Sequence, residues 1–305
     1  ECHGDLHLGN ICLIDGQPII FDAIEFNDTF NNIDTLYDLA FLLMDLAQRD
    51  LAAAASTVFN RYLFRTSEYD DLGVLPLYQS VRAAIRAHVT ARSAGQQTEA
   101  ADRDRLVDLA QSYMQIAEEF LTPVAPRVIA IGGYSGTGKT TIANRIAPLI
   151  GSAPGAVVLS SDLIRKRQFA VEPEDRLGAR FYRTDITRKV YGELFDLTRK
   201  SVSEGCSVIV DATFMNAQDR TEMEKIAGAL NTPLSGYWLT GDASLLGQRI
   251  ANRPKGASDA TTDILDQQLK RGPGDVDWKC VHATKSPDGA FNVVRDGILA
   301  SDATT

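Results

Sequence analysis

This sequence lacks the long apolar run of a membrane span. Its longest, Leu39 to Met44, falls far short of the ~18 residues required. It also lacks paired cysteines. Cys2, Cys12, Cys206 and Cys280 are scattered with no C-x-x-C spacing, so neither a zinc site nor a disulfide framework is indicated. Basic residues are outnumbered: 31 Lys and Arg against 40 Asp and Glu leave a formal net charge of −9, which argues against broad binding to nucleic acid or an anionic membrane. No secretory leader is visible, which makes the cytoplasm the expected compartment. There is no internal repeat, no low-complexity tract and no initiating methionine. The chain opens Glu1-Cys2-His3, inside what reads as a catalytic motif, and is expected to be a piece of a longer protein. What remains is ordinary globular material. The 305 residues are 44% hydrophobic and 23% charged, enough for two domains at ~100–200 residues each.

The most informative stretch is Arg127 to Ile146. Within it Gly133 to Thr140 reads G-Y-S-G-T-G-K-T, matching G-x-x-x-x-G-K-[ST] at every fixed position. Val128 to Ile131 is short, apolar and β-branched, as a strand buried on both faces should be. Thr141 to Ile150 carries Ile142, Ala143, Ile146 and Leu149 at helical spacing. The glycines therefore join a strand to a helix, and their backbone N–H groups with the helix N-terminus form an anion site. The expected nucleotide-binding residues are Gly133, Tyr134, Ser135, Gly136, Thr137, Gly138, Lys139, Thr140 and Thr141. Lys139 reaches the β- and γ-phosphates of ATP, and the Thr140 hydroxyl holds Mg²⁺.

Before this stretch, His3-Gly4-Asp5-Leu6-His7-Leu8-Gly9-Asn10 leads into Ile11 to Ile14, a turn at Asp15-Gly16, and Ile19 to Glu25. That is loop, strand, tight turn, strand, with polar groups at the strand ends. The H-x-D-x-x-x-x-N spacing and the aspartate ending the hairpin resemble the catalytic and metal-binding loops of aminoglycoside phosphotransferases and related protein-kinase-like enzymes. The resemblance implies Asp5 as base, Asn10 as one Mg²⁺ ligand and Asp22 as the main one; His3 orients the loop. Helices are expected to follow. Ile33 to Gln48 is dense in apolar residues, interrupted by Asp34, Asp38 and Asp45. Val81, Ala84, Ile85, His88 and Val89 fall on one helical face, as do Leu106, Leu109, Ala110, Tyr113 and Ala117. On that pattern His88 is a packed core residue. Residues 1–121 thus read as the mostly helical remnant of a kinase-like C-lobe. They carry half of a nucleotide site and are expected to be inert in this chain, because kinase-like enzymes also need a glycine-rich strand loop and a strand lysine.

Thr122-Pro123-Val124-Ala125-Pro126 reads as a linker, since proline ends the preceding helix. From residue 127 to 295 the pattern is that of an α/β domain with a parallel sheet flanked by helices, and 296–305 reads as a tail. Ala156 to Leu159 is a second strand, and Asp162 follows at its carboxyl end, where ligands of open α/β sheets sit. A carboxylate there can take the proton of an acceptor hydroxyl, or it can cap the next helix. Arg165 can contact substrate or the transferring phosphate. Arg165-Lys166-Arg167 together read as a solvated helix face. Residues 178–204 read as helix, and Ser207 to Asp211 is an apolar strand ending in an acid placed to hold Mg²⁺ or its water. A further strand, Leu234 to Leu239, precedes a helix from Ala243 to Ala251. Arg249 and Arg253 lie four apart on that side, ahead of a flexible turn and a helix from Ile264 to Lys270. This set reads as a lid whose arginines stabilise transition-state charge, with an exposed ion-pair face as the alternative. Beyond Arg271 the chain reads as irregular, anchored by Trp278.

GYSGTGKTT, SSDLIRKR, VIVDATF and the R-x-x-x-R-P-K-G-A-S-D-A stretch together resemble small phosphate-loop kinases of the gluconate-kinase, polynucleotide-kinase and zeta-toxin-like group, or an AAA-type ATP-binding domain. The order of halves resembles bacterial fusions of an aminoglycoside-phosphotransferase-like domain to a P-loop domain. Three readings follow. The leading one is a small-molecule kinase using ATP and Mg²⁺, with Asp162, Lys139, Arg249 and Arg253 catalytic and Thr140 and Asp211 at the metal. The others are a nucleotide-gated ATPase module and a nucleic-acid 5′-hydroxyl kinase, the last disfavoured by the net charge.

Overall fold

The computed structural model describes residues 1–26, 28–252, 259–284 and 286–302. The chain forms two compact units. One comprises Glu1–Phe59, Asp71–Val124 and Ser152–Gly155; the other comprises Asn60–Asp70, Ala125–Gly151 and Ala156–Thr305.

The first unit opens with a hairpin, β1 (Ile11–Ile14) paired antiparallel with β2 (Gln17–Ile20), in the register Ile11 to Ile20. The positive φ values of Asp15 and Gly16 make the tight turn that the sequence anticipated. Helices α1 (Asp28–Asn31), α2 (Thr35–Gln48), α3 (Ala52–Thr66, which passes into the second unit from Asn60), α4 (Leu75–Ala94) and α5 (Ala100–Phe120) follow. Asp34 caps α2 by accepting the Leu36 N–H at 2.8 Å. Phe41 and Met44 of α2, Ala83 and Ala87 of α4, and Tyr113, Ala117 and Phe120 of α5 make the common core. Here α4 departs from expectation. Val81, Ile85, His88 and Val89 are exposed, and the buried face carries Ala83, Ala87, Thr90 and Ala94. Leu75, Gln79 and Arg82 are buried as well, so this helix turns its alanines and two long polar side chains inward and leaves Val81, Ile85 and Val89 outside. A hydrophobic pattern weighted by size picks the wrong face.

The second unit is built on a five-stranded parallel sheet in the order β4-β5-β3-β6-β7. Its elements are β3 (Val128–Gly133), α6 (Lys139–Ile146), β4 (Val157–Ser160), α7 (Ser161–Gln168), α8 (Thr184–Ser203), β5 (Val208–Asp211), α9 (Ala217–Ala229), β6 (Leu234–Thr240), α10 (Ala243–Ala251), α11 (Thr262–Arg271), β7 (Lys279–His282) and α12 (Pro287–Asp302). β3 lies at the centre, with Val128 opposite both Val208 and Leu234. Every residue of β3 and β5 is buried, which accounts for their unbroken apolar runs. Ile129, Ile131, Ile142, Ile146, Ile209, Leu239, Phe291 and Val294 fill the core, each worth about 1.5–3 kcal/mol when fully buried.

The region after Arg271, expected to be irregular, instead adds the edge strand β7 and α12. That helix crosses the expected tail boundary at 296 and supplies Phe291, Val294 and Ile298 to the core. Most of the glycines, prolines and aspartates lie in the connection before Trp278 and at the helix start, with Asp296, Gly297 and Asp302 further along α12. Trp278 is buried, its ring edge-on to Phe214 at 4.9 Å between centroids. Among the described residues no helix is long and apolar enough to cross a membrane.

A candidate active site at the centre of the parallel sheet

The strand order reverses beside β3, so its carboxyl end opens onto a crevice between neighbouring connections. The phosphate loop fills this point. Gly133 has φ +133°, and a Cβ there would lie 2.1 Å from the Leu239 carbonyl oxygen, so no other residue fits. Gly138, at φ +94°, caps α6. The helix starts at Lys139, two residues earlier than its apolar spacing suggested, and closes in a 3-10 turn at Ala147–Leu149.

A cavity of about 460 Å³ lies against this loop. Ser135, Gly136, Gly138, Lys139, Thr140 and Thr141 line it from the loop side, Asp162 and Arg165 from α7, and Asp211 from the end of β5. Lys139 Nζ donates to the carbonyls of Gly133 at 3.0 Å and Tyr134 at 2.9 Å. The Thr140 hydroxyl donates to Asp211 Oδ2 at 2.6 Å. Asp211 is 3% exposed. Burial pushes its carboxyl above the ordinary range, against the pull of Lys139 and the Thr140 hydroxyl, while the Asp162 charge adds to the rise. A hydroxyl and a carboxylate in contact beside a phosphate loop are hard oxygen donors of the kind that suit Mg²⁺, which binds through few protein oxygens and the phosphates themselves. Thr140 and Asp211 fit that group.

Asp162 sits in the first turn of α7, whose N-cap is Ser160, so it faces the cavity rather than capping the helix. Arg165 is buried and donates to Phe181 O at 2.9 Å and Thr187 Oγ1 at 3.4 Å, its guanidinium over the Tyr182 ring. The basic trio is therefore no solvated face. Lys166 is fully buried, donating to Pro173 O at 2.9 Å and Asp175 O at 2.6 Å and pairing with Asp259 at 3.2 Å. Two carbonyls of the following loop and one carboxylate far along the chain make that burial tolerable.

Gly133 and Tyr134 line neither cavity of this region; their carbonyls hold Lys139, and the Tyr134 ring packs beside Leu246 and Leu265. Thr137 and Arg249 line a smaller cavity of about 240 Å³, which shares Gly136, Gly138 and Thr141 with the larger one. Arg249 Nη2 donates to Thr284 O at 2.5 Å, and Arg249 does not line the cavity that holds Asp162. Arg253 lies outside the described residues. The sequence reading missed Tyr182, Thr187, Tyr191, Thr213 and Gln268, all of which line the larger cavity. Tyr191, buried, accepts the Phe214 N–H at 3.0 Å, and burial holds its phenol up at about 12. Thr213 falls within the VIVDATF stretch, whereas the other four have no motif around them and are assembled by the fold.

In the first unit, Asn10 Nδ2 donates to Asp5 O at 3.0 Å and Asp5 Oδ2 at 3.2 Å, and His7 Nε2 lies 3.3 Å from Asp5 Oδ2. His3 accepts the Asp5 N–H at 3.3 Å and bonds Phe21 O at 2.8 Å, which orients the loop. Asp38 accepts the N–H groups of His3 at 2.8 Å and Gly4 at 3.0 Å, and Asp45 that of Leu8 at 2.9 Å. Those two acids, met in the sequence as interruptions of an apolar helix, are thus the struts of the loop. Asp22 is exposed at φ +62°. Among the described residues no group of three or more His, Cys, Asp or Glu is arranged to hold a metal.

The chain is similar to an uncharacterised protein of Mycobacterium tuberculosis, 29% identical over 287 residues that cover 92% of this chain and 55% of the relative. It therefore spans about half the length of the curated relatives it matches. Among solved structures it is similar to a sugar kinase from Janibacter (18% identity, TM-score 0.41) and a gluconokinase from Sinorhizobium meliloti (18% identity, TM-score 0.39). Each covers 58% of this chain, matched over 97% of its own. Residues 128–272 match the model of a family described as AAA domain, and that stretch contains the entire lining of the larger cavity.

Proposed function

We propose that the second unit is an ATP-dependent phosphotransferase that moves the γ-phosphoryl group to a hydroxyl of a small molecule. The observation that carries this reading is the convergence of Lys139, Thr140, Asp211 and Asp162 on one cavity against the phosphate loop. In this reading the nucleoside takes the smaller cavity, beside Arg249, and the phosphates lie over the loop residues that both cavities share. Lys139 turns from its own loop carbonyls to the β- and γ-phosphates. Thr140 and Asp211 hold Mg²⁺, which offsets phosphate charge when bound. Asp162 accepts the proton as the acceptor oxygen bonds to phosphorus and the bond to the ADP oxygen breaks. Tyr182, Thr187, Tyr191 and Thr213 form a hydroxyl-rich wall suited to a polar acceptor. Such chemistry needs little beyond positioning and charge stabilisation. Asp5, Asn10 and Asp22 take no part, and the first unit serves as a helical scaffold.

The test is ADP release with and without a panel of small hydroxyl compounds. We expect turnover that depends on an acceptor and disappears in a folded Lys139→Ala variant. Turnover indifferent to every acceptor would assign the site to plain ATP hydrolysis instead.

A further inference from the structure

One donor of the phosphate loop is already taken by the chain itself. The Ser135 backbone N–H donates to Gln268 Oε1 at 2.8 Å. Loops of this kind direct backbone N–H groups at an anion. Here a side-chain amide oxygen, a neutral acceptor, takes one of those donors.

The helix that brings Gln268 there is tethered along its length. Just ahead of α11, Asp259 is buried, and its Oδ2 accepts the Leu177 N–H at 3.1 Å and the Tyr182 hydroxyl at 2.9 Å. Its Oδ1 pairs with the buried Lys166. At the other end, Arg271 donates to Asn216 Oδ1. Between them Leu265 packs against Leu246 and Ile250, with Leu269 and Tyr134 at the margin of the cluster. Gln268 is thus held over the loop by a buried ion pair, a polar contact and an apolar seam.

We propose that Gln268 is a built-in ligand of the phosphate loop that an incoming nucleotide displaces, so that this residue sets the affinity of the site. The proposal rests on the nucleotide site argued above. Lys139 makes the companion contact, bound in the free protein to Gly133 O and Tyr134 O. Both groups exchange a partner in the chain for a phosphate oxygen. The exchange at Ser135 trades a neutral acceptor for a charged one, which favours the nucleotide but costs it the bond given up.

The direction of the consequence is unusual, because removing a polar residue that lines the site should tighten binding. The experiment titrates a non-hydrolysable ATP analogue with Mg²⁺ into the full chain and into Gln268→Leu, Gln268→Ala and Gln268→Glu. Leu and Ala delete the acceptor, and we expect both to bind roughly 2- to 12-fold more tightly, the net worth of one neutral hydrogen bond. Gln268→Glu keeps the acceptor, strengthens the bond with a charge and repels the triphosphate, so binding weakens by about tenfold or more. Melting without nucleotide checks that each variant is folded. Gln268→Leu and Gln268→Ala binding no more tightly than the parent chain would overturn the proposal, since Gln268 would then support the bound nucleotide or nothing at all. A parent chain that binds no analogue would overturn the nucleotide site itself, and the proposal with it.

Discussion

The two units each carry a pair of aspartates beside a loop, and the surroundings of those carboxylates differ. In the first unit the Asp5 side chain is 42% exposed, and Asp22 sits in the open after a hairpin whose Leu13, Ile14, Ile19 and Ile20 are themselves exposed. In the second, Asp211 is buried against the Thr140 hydroxyl, and Asp162 faces it across a cavity walled by the phosphate loop. Residue types at a suggestive spacing are present in both. A glycine-rich loop at a helix N-terminus, with Lys139 beside it, belongs to the second unit. Carboxylates near a loop do not by themselves supply an anion cradle; the glycine-rich loop of the second unit has that form.

The comparison breaks most visibly by making the same substitution in both places. Asp162→Asn should lower phosphotransfer by about 10²–10⁴-fold in kcat while leaving nucleotide affinity nearly unchanged, as loss of a general base does. Asp5→Asn should leave both within about twofold, as a surface change away from the chemistry would. Steady-state kinetics with direct nucleotide titration separates the two. Collapse of nucleotide binding in Asp162→Asn would make that residue a structural or metal-binding group.

A smaller effect sharpens the contrast in burial. The folded protein holds the Asp211 proton to higher pH than the unfolded chain does, because burial raises its pKa. Stability from this group is present below the ordinary aspartate value of about 3.9 and is lost as pH rises through the raised folded value. Asp211→Asn removes that loss. At neutral pH the variant should melt about 2–4 °C higher per kcal/mol gained, with the difference vanishing at acid pH. It should also respond less to Mg²⁺ with nucleotide. Melting curves across pH check the sign: a variant that melts lower at neutral pH would mean that the Lys139 attraction outweighs burial.

How much of this was legible in sequence depended on whether the signal was local. The phosphate loop was legible because its residues form one contiguous motif whose glycines answer local demands, such as the positive φ of Gly136 and Gly138. β3 and β5 were legible because strands buried on both faces must be apolar throughout. Asp162 and Asp211 were singled out by position at strand ends, and both line the larger cavity. Gln268 and Tyr182 were not, since Gln268 meets Ser135 and Tyr182 meets Asp259 only through contacts distant in sequence. Lys166 was misjudged for the same reason: its partner Asp259 lies far along the chain. α4 was misread because alanines and the polar Gln79 and Arg82 are buried, while Val81, Ile85 and Val89 are exposed.

We propose that nucleotide binds this chain at one place, the phosphate loop of the second unit. Isothermal titration with a non-hydrolysable ATP analogue and Mg²⁺ tests it most directly, on the parent chain, Lys139→Ala and Asp22→Ala. The account predicts one site per chain, lost or severely weakened in Lys139→Ala and unchanged in Asp22→Ala. Two sites of similar affinity, one surviving Lys139→Ala and lost in Asp22→Ala, would contradict it.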